Sequence, residues 1–351
     1  MSDIQSRKTD HLDLAAKGDV AFRHKTTLFD CVDLVHDALP ELALDEVDLS
    51  CTVLGKPLRA PLLIAAMTGG TDRAGEINRT LARVAERRGY AFGLGSQRPM
   101  LTRPETRTSF DVRSAAPAVL LLGNLGVVQA SQMTTAEVAA LVRAVQADAL
   151  CIHLNPAMEV VQPEGDRDFR GGLATLTRLQ RELPVPVIAK ETGCGISAAA
   201  AGRLRAAGIE HVDVSGAGGT SWVAVETQRA SEGQRQLGEL FWDWGIPTAA
   251  SVLATAPQGF QTVIATGGMH NGLQAAKALA LGAHLVGIAR PVLQAYERGG
   301  ETEADRFLAQ VELELRTALL LTGSKNLKQL RAAPRRVHGE LRDWLTVWQA
   351  E

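Results

Sequence analysis

Polar side chains recur directly after short apolar segments along this sequence of 351 residues. If the segments are parallel strands of one barrel, their carboxyl ends meet at one rim and bring these groups together. Random surface polarity would not be concentrated in this way. The sequence therefore predicts a site at the rim that includes Thr68, Ser96, Gln97, Arg98, Asn124, His153, Asn155, Glu159, Lys190, Ser215, Thr220, Gly267, Gly268 and Arg290.

The last two apolar segments indicate a phosphate site. Gly267 and Gly268 lie between a strand-like segment and a helix start, where backbone N–H groups can face an anion with no Cβ in the way. Ala289 and Arg290 open a second helix after the eighth segment. A phosphate site made by the loops after strands seven and eight recurs in α/β barrels. A tight turn without a ligand is the alternative interpretation of the two glycines.

Lys190 ends the apolar segment PVPVIAK. If this segment is a barrel strand, the lysine side chain would point into the mouth of the barrel. An unpaired ammonium is costly to bury, so this lysine must be paired or functional. One interpretation is that the neighbouring Glu191 neutralises it. The other is that the lysine lies beside the N1–C2 region of a flavin, where negative charge accumulates on reduction.

A long polar stretch follows the fourth apolar segment. Asn155 and Glu159, or the acids Glu164, Asp166 and Asp168, offer oxygen ligands of the kind that Mg²⁺ prefers. The alternative is a solvated loop with ordinary surface acids.

A small basic cluster near the N-terminus consists of Arg7, Lys8 and His11. Such a cluster can fold over an anionic substrate, supplying charge and excluding water. A solvated tail is the alternative interpretation.

Eight strand-like apolar segments alternate with alanine- and leucine-rich helical ones. The eight segments cover residues 61–67, 90–95, 118–126, 149–154, 185–190, 211–216, 262–268 and 284–289. Continuous apolar segments are typical of strands that are buried on both faces. Eight strand–helix units can close on themselves, so the predicted fold class is α/β, a (β/α)8 TIM barrel. An open doubly wound sheet is the alternative, but no GxGxxG motif follows the first segment.

The remaining segments predict an N-terminal arm with a hairpin and a C-terminal helical extension, all within one FMN-type barrel domain, 1–351. Residues 1–60 would form the arm and hairpin, 61–290 the barrel strands, and 291–351 the C-terminal helices. The stretch VDLSCTVLGKPLRAP is the predicted hairpin, which would seal the amino end of the barrel.

The composition excludes several classes of function. A formal net charge of -2 and a pI near 6.5 give no field that would attract nucleic acid or an acidic membrane. No stretch is typical of membrane insertion, and the N-terminus lacks the apolar core of a signal peptide. Four cysteines without CxxC spacing predict neither a zinc site nor a disulfide framework, and they fit a cytoplasmic protein.

Several motifs, in the same order along almost the whole chain, resemble those of the type 2 isopentenyl diphosphate isomerases. They are Arg7-Lys8-x-x-His11, Met67-Thr68-Gly69-Gly70, Gly95-Ser96-Gln97-Arg98, Gly123-Asn124-x-Gly126, His153-x-Asn155, Glu164-Gly165-Asp166-x-Asp168-Phe169, Lys190-Glu191-x-Gly193, the run from Ser215 to Trp222, and Gly267-Gly268. The basic N-terminal motif, together with the stretch after the fourth segment, is more specific than the general pattern of FMN-binding barrels.

This resemblance implies an enzyme of isoprenoid biosynthesis that interconverts isopentenyl and dimethylallyl diphosphate. Reduced FMN would act as acid and base, with NADPH as reductant and Mg²⁺ as metal, while His153 and Lys190 support the chemistry. A homo-oligomer, a tetramer or an octamer, is implied as well. The residues expected to contact FMN are Ala66, Met67, Thr68, Ser96, Asn124, Lys190, Ser215, Thr220, Gly267, Gly268, Ala289 and Arg290. Those expected to bind the substrate are Arg7, Lys8, His11, Ser96, Gln97, Arg98, His153, Asn155 and Met158, with Glu159 and Asn155 near Mg²⁺.

Two residues depart from the pattern of that family. Met158 stands where the family usually has a glutamine that is thought to assist proton transfer or substrate positioning. A thioether is a weak acceptor and has no proton to give. His270 stands where the family usually has arginine after the glycine pair, and it can still donate to a flavin phosphate.

Two alternative functions follow from the same residues. An FMN-dependent oxidoreductase of the 2-hydroxy-acid oxidase type would need a histidine base and arginines for a carboxylate, and the seventh segment lacks the His-x-Gly-Arg context expected for it. A prenyl-diphosphate-binding paralogue with weak or altered activity is the other, because Met158 replaces the usual glutamine.

Overall fold

The computed structural model describes residues 11–14, 16 and 18–350, so Arg7 and Lys8 lie outside the described residues. Three short strands precede the barrel: β1 (Val32–Leu34), β2 (Cys51–Val53) and β3 (Lys56–Leu58). The second and third pair antiparallel, where the sequence predicts a hairpin.

Eight parallel strands form a closed barrel, which confirms the predicted fold class. The barrel strands are β4 (Leu62–Ile64), β5 (Ala91–Gly93), β6 (Leu120–Gly126), β7 (Ala149–Leu154), β8 (Val187–Glu191), β9 (His211–Asp213), β10 (Thr262–Ala265) and β11 (Leu285–Ile288). Each strand pairs with the next along the chain, and β11 pairs with β4 to close the barrel. All eight coincide with the predicted apolar segments to within a few residues.

Helices surround the barrel and extend beyond it. They are α1 (Asp72–Arg88), α2 (Pro99–Thr102), α3 (Val127–Ser131), α4 (Thr135–Val145), α5 (Pro156–Val161), α6 (Gly172–Glu182), α7 (Ala198–Ala206), α8 (Trp222–Arg229), α9 (Glu232–Leu240), α10 (Thr248–Thr255), α11 (Gly272–Ala280), α12 (Arg290–Leu321), α13 (Leu327–Ala332) and α14 (Gly339–Ala350). Over the part of the chain that the structure describes, none of these helices combines the length and apolar character needed to cross a bilayer.

The barrel interior is a separate apolar cluster that the hairpin closes at its amino end. Leu63, Ala91 and Leu122 point inward and pack with Val53 and Leu58 from the hairpin. A larger cluster fills the space between strands and helices. Because the strands are buried on both faces, apolar residues occur at nearly every strand position. The amino end is filled, so the space for a ligand lies at the carboxyl ends of the strands.

The segments at both ends of the chain pack on the barrel. After α13, strand β12 (Arg335–Val337) pairs antiparallel with β1.

At the mouth of the barrel, the N-terminal arm is hydrogen-bonded to the loop after β9. The backbone N–H of Ser221 donates to the carbonyl oxygen of Val20 at 2.8 Å, and that of Phe22 donates to Gly219 at 3.2 Å. The arm therefore forms part of the rim of the barrel.

Four barrel strands, β4, β5, β9 and β10, end two or three residues earlier than the sequence predicts. β9 ends at Asp213 and β10 at Ala265. Soon afterwards the backbone takes positive φ values, 36° at Ser215 and 100° at Gly267, which extended strands do not have. The residues that leave the sheet here form turns at the mouth of the barrel.

Candidate functional site

A cavity of about 270 Å³ lies at the carboxyl ends of the strands. Every residue that the sequence predicts to contact the cofactor lines this cavity: Ala66, Met67, Thr68, Ser96, Asn124, Lys190, Ser215, Thr220, Gly267, Gly268, Ala289 and Arg290. Of the predicted substrate and metal residues, those that line it are His11, Ser96, Arg98, His153, Asn155, Met158 and Glu159. The fold thus collects residues from all eight strand ends in one place.

Gln97 is the described substrate-binding candidate that the structure does not bring to the cavity. Its side chain is fully buried, and its Nε2 donates to the carbonyl oxygen of Leu141 at 3.2 Å. Its Oε1 accepts from the backbone N–H of Asn124 at 3.0 Å. In this structure Gln97 holds the strand that carries Asn124 and does not face a ligand.

Asn124 in turn orients His153. The two residues lie on adjacent strands, β6 and β7, and His153 Nδ1 is 2.8 Å from Asn124 Oδ1. With the amide oxygen as acceptor, Nδ1 carries the proton, and the bond fixes the plane of the ring. Such a contact determines which tautomer a histidine adopts. The ring is therefore held in one orientation at the cavity wall.

Lys190 is paired with a residue on the next strand. Its Nζ is 2.9 Å from Asp213 Oδ2 and donates to the carbonyl oxygen of Glu191 at 3.0 Å. The other oxygen of Asp213 accepts from Thr266 Oγ1 at 2.6 Å. The carboxylate that neutralises Lys190 thus belongs to Asp213, and Glu191 contributes its backbone.

The Glu191 carboxylate turns to the loop that follows β8. It accepts backbone hydrogen bonds from Thr192 and from Cys194, the latter at 2.5 Å. Burial raises the pKa of Glu191 to about 8, while these backbone donors and the charge of Lys190 oppose that rise. Glu191 therefore shapes the loop and does not line the cavity.

The turn after β10 forms the wall where the sequence predicts a phosphate. Gly267 and Gly268 have φ values of 100° and 68°. A Cβ on Gly267 would lie 2.1 Å from the carbonyl oxygen of Gly216, well inside van der Waals contact. The turn is therefore restricted to glycine at this position, and the absence of a side chain allows the turn to pack against the loop after β9.

Arg290, at the start of α12, lines the same wall. Its Nη2 donates to the carbonyl oxygen of Gly18 at 2.7 Å, while its buried Nε has no acceptor among the described residues. Leaving a buried guanidinium N–H unsatisfied is costly, so the group fits an anion bound at this wall. His270 lines the cavity nearby, and burial together with the charge of Arg290 lowers its pKa. These groups fit the phosphate of FMN.

Arg98, which follows β5, is the candidate for a second anionic group. Its side chain is partly buried and lines the cavity, and its guanidinium has no hydrogen bond or ion pair with any described residue. An arginine in this state presents five N–H donors to a ligand. A diphosphate, with several charged oxygens, fits such a group.

Glu159 and Asn155, which line the cavity after β7, are held together by a hydrogen bond. Asn155 Nδ2 donates to Glu159 Oε1 at 2.8 Å, and the backbone N–H of Asp166 donates to Glu159 Oε2 at 2.9 Å. The described residues contain no cluster of three His, Cys, Asp or Glu side chains that would hold a metal alone. One carboxylate and an amide oxygen fit Mg²⁺ that is bound mainly by substrate phosphates and water.

Two site residues, Asp213 and Glu226, were missed by the sequence reasoning. Asp213 and Glu226 are acids within otherwise apolar segments, a signal that could have identified both. Glu226 is fully buried, and its Oε1 is 2.7 Å from His11 Nε2 while its Oε2 accepts from Arg229 at 3.0 Å. The His11 ring also meets the indole of Trp222 edge-on, with centroids 5.6 Å apart. These contacts fix the described part of the arm over the cavity.

Comparisons with known proteins agree with this geometry. The family model for FMN-dependent dehydrogenases matches residues 2–154 and 133–336. The chain is 45% identical over 343 residues to the isopentenyl-diphosphate delta-isomerase of Methanothermobacter thermautotrophicus, covering 97% of this chain and 96% of the relative. It is 46% identical to that of Nostoc sp., covering 93% and 94%, and 48% identical to that of Synechococcus sp., covering 94% and 95%.

Solved structures of oxidases share the fold. A lactate oxidase from Pediococcus acidilactici has a TM-score of 0.67 at 16% identity, covering 97% of this chain and 95% of that chain. Mandelate oxidase with (S)-2-phenylpropionate has a TM-score of 0.64 at 18% identity, covering 96% and 98%. At these identities the similarity concerns the fold alone.

Proposed function

The chain belongs to the isopentenyl-diphosphate delta-isomerases within the FMN-dependent dehydrogenase family, and from this premise we propose how its residues perform the isomerisation. The substrate pair is isopentenyl and dimethylallyl diphosphate, and the cofactor is FMN. The observation that carries the proposal is one cavity that brings together Arg290, whose buried Nε has no acceptor among the described residues, the ion-paired Lys190, and Arg98, whose guanidinium has no hydrogen bond or ion pair with any described residue.

The reaction shifts a double bond without net oxidation, so it needs a proton added at one carbon and another removed nearby. When bound, reduced FMN supplies ring nitrogens that can act as acid and base next to an apolar prenyl chain. The protein must then fix the diphosphate, exclude water and keep the cofactor in place. His153 and Lys190 line the cavity with fixed orientations and support this chemistry.

We assign the diphosphate to the part of the cavity that Arg98, His153 and Asn155 line. Glu159 would hold Mg²⁺ there, between the protein and the phosphates. Predicted contacts from Arg7 and Lys8 lie outside the described residues. His11, fixed by Glu226, indicates that the arm reaches the cavity. Closing the arm over the substrate would exclude water from the reacting alkene.

Five further properties belong to the proposal. NADPH is the reductant of the flavin, and Mg²⁺ is required for substrate binding. The chain acts as a single domain, and it assembles as a tetramer or an octamer, for which Leu240 and Trp244 offer exposed apolar surface. We place the enzyme in the cytoplasm, where the four cysteines would remain the free thiols seen in the structure.

The test is an anaerobic assay on the purified holoenzyme. With FMN, NADPH and Mg²⁺, isopentenyl diphosphate should convert to dimethylallyl diphosphate, and addition of a chelator should abolish turnover. Photochemically reduced enzyme without NADPH should also turn over, which separates the reductant from the isomerisation. A protein that binds and reduces FMN but produces no dimethylallyl diphosphate would refute the proposed activity. Oxygen uptake with lactate or mandelate would instead support the oxidase alternative.

A weakly active paralogue is the second candidate, and Met158 favours it. The thioether lines the cavity, with its sulfur 3.9 Å from Asn155 Nδ2, where an amide would add both a donor and an acceptor. If the methionine limits turnover, Met158→Gln should raise kcat at least tenfold, whereas the apolar control Met158→Leu should not. A kcat of Met158→Gln that is equal to or lower than that of the wild type would exclude the paralogue hypothesis.

A further inference from the structure

A buried ion pair, together with a threonine hydroxyl, connects three neighbouring strand ends at the cavity wall. Lys190 Nζ on β8 is 2.9 Å from Asp213 Oδ2 on β9, and Thr266, just after β10, donates to Asp213 Oδ1 at 2.6 Å. Asp213 is 2% exposed and Lys190 is 9% exposed. Lys190 and Thr266 line the cavity, but Asp213 does not. Asp213 can therefore influence a ligand in the cavity without contacting it, through its charge and through the position of Lys190.

Stability alone does not explain why a charged pair lies here. Replacing a buried ion pair by apolar residues of similar size is often neutral or stabilising, whereas removal of one partner leaves a costly unpaired charge. The same apolar interior continues on both sides of the pair, at Ile188 and Ile264. The pair is thus better explained by the charge that it presents to the cavity.

Three titratable groups lie next to the pair. Burial raises the pKa of the Cys151 thiol on β7 to about 12, so that it stays neutral. Glu191 directs its carboxylate away from the pair, to the backbone N–H groups of the following loop. His153 lies beside Lys190 on β7 and is bonded to Asn124. The direct ionic partner of Lys190 is therefore Asp213.

We propose that Asp213 is a positioning residue that holds the Lys190 ammonium at the cavity wall and offsets its positive charge, and so limits how strongly the protein favours reduced over oxidised FMN. The inference rests on the proposed function, since it requires a flavin next to Lys190. A fixed cation stabilises the negative charge that a flavin gains on reduction. Without Asp213, the lysine would present that charge uncompensated.

The experiment compares the midpoint potential of bound FMN in the wild-type holoenzyme and in Asp213→Asn. Asparagine keeps an acceptor for Thr266 but removes the negative charge. The variant should bind reduced FMN at least tenfold more tightly relative to oxidised FMN, a rise of about 30 mV for a two-electron couple. The matched control is Asp148→Asn at the amino end of β7, which loses ion pairs to Lys56 (2.7 Å) and Arg113 (2.8 Å). It should leave the potential unchanged.

A double variant tests whether the negative charge of Asp213 itself lowers the flavin potential. Lys190→Met should lower the potential because the negative charge of Asp213 is then unopposed, and Lys190→Met combined with Asp213→Asn should return it toward the wild-type value because neither charge remains at the wall. This comparison also serves if Asp213→Asn alone is too unstable to purify. Equal potentials in wild type and Asp213→Asn, or in Lys190→Met and the double variant, would overturn the inference. A wild-type protein that binds no FMN would instead overturn the proposed function.

Discussion

The close approach of the glycine turn after β10 to the loop after β9 gives a sharp prediction for Gly267→Ala. Gly267 has a φ of 100°, and a Cβ there would lie 2.1 Å from Gly216 O and 2.7 Å from Gly216 N. Forcing an alanine into a left-handed conformation costs roughly 1–2 kcal/mol. Displacing the neighbouring backbone adds about 1–3 kcal/mol by analogy with overpacked cores.

The combined loss of roughly 2–5 kcal/mol is a large part of a typical free energy of unfolding of about 5–15 kcal/mol. We therefore expect a folded protein whose turn has moved. The turn carries the N–H groups expected to face the FMN phosphate, so the Kd for FMN should rise at least tenfold, which corresponds to about 1.4 kcal/mol.

Gly259→Ala is the matched control. Gly259 has a φ of 76°, but a Cβ there would meet nothing within 4 Å, and the residue lies before β10, at the opposite end of the barrel. It should lose only the roughly 1–2 kcal/mol of backbone strain and keep its affinity for FMN. Urea unfolding and titration of flavin fluorescence measure both quantities. If the two variants lose the same stability and bind FMN equally well, the close approach does not determine the phosphate site.

Three further predictions concern single side chains. Arg98→Gln should raise the Kd for isopentenyl diphosphate roughly 10- to 100-fold, since a charged hydrogen bond is worth about 1.5–3 kcal/mol. The free energy of unfolding in urea should stay unchanged because the Arg98 guanidinium lines the cavity without a partner among the described residues. His284 Nδ1 accepts a hydrogen bond from the Val263 N–H at 3.0 Å, and burial lowers the pKa of His284 below 6.5. The stability that neutral His284 provides above pH 6.5 should therefore be lost as the pH falls toward its folded pKa. His284→Asn should reduce the difference in the free energy of unfolding that urea titrations give at pH 7.5 and at pH 5.5. Arg290→Lys should weaken FMN binding, and it should speed hydrogen exchange near Gly18 because Arg290 donates to the carbonyl oxygen of Gly18. Unchanged exchange near Gly18 would contradict the idea that Arg290 connects the N-terminal arm to the wall that faces the FMN phosphate.

The sequence predicted the barrel correctly, and the residues that it assigned to the cofactor line one cavity, for one physical reason. Strands buried on both faces must be apolar throughout, so all eight were visible as continuous segments. Parallel strands in a barrel end at a common rim, so the residues after them had to meet. Thr68, Asn124 and Arg290 are distant in sequence, yet all three line the cavity.

The tertiary structure decided which partner each polar side chain has. Gln97 and Arg98 are neighbours in sequence, but Gln97 is buried against Leu141 while Arg98 faces the cavity. Lys190 pairs with Asp213 on the adjacent strand, and the carboxylate of Glu191 points elsewhere. Residue spacing indicates where a strand ends, but the partner of a buried charge depends on which strands lie side by side and on how the chain turns after each one. Those two properties exist only once the barrel has closed.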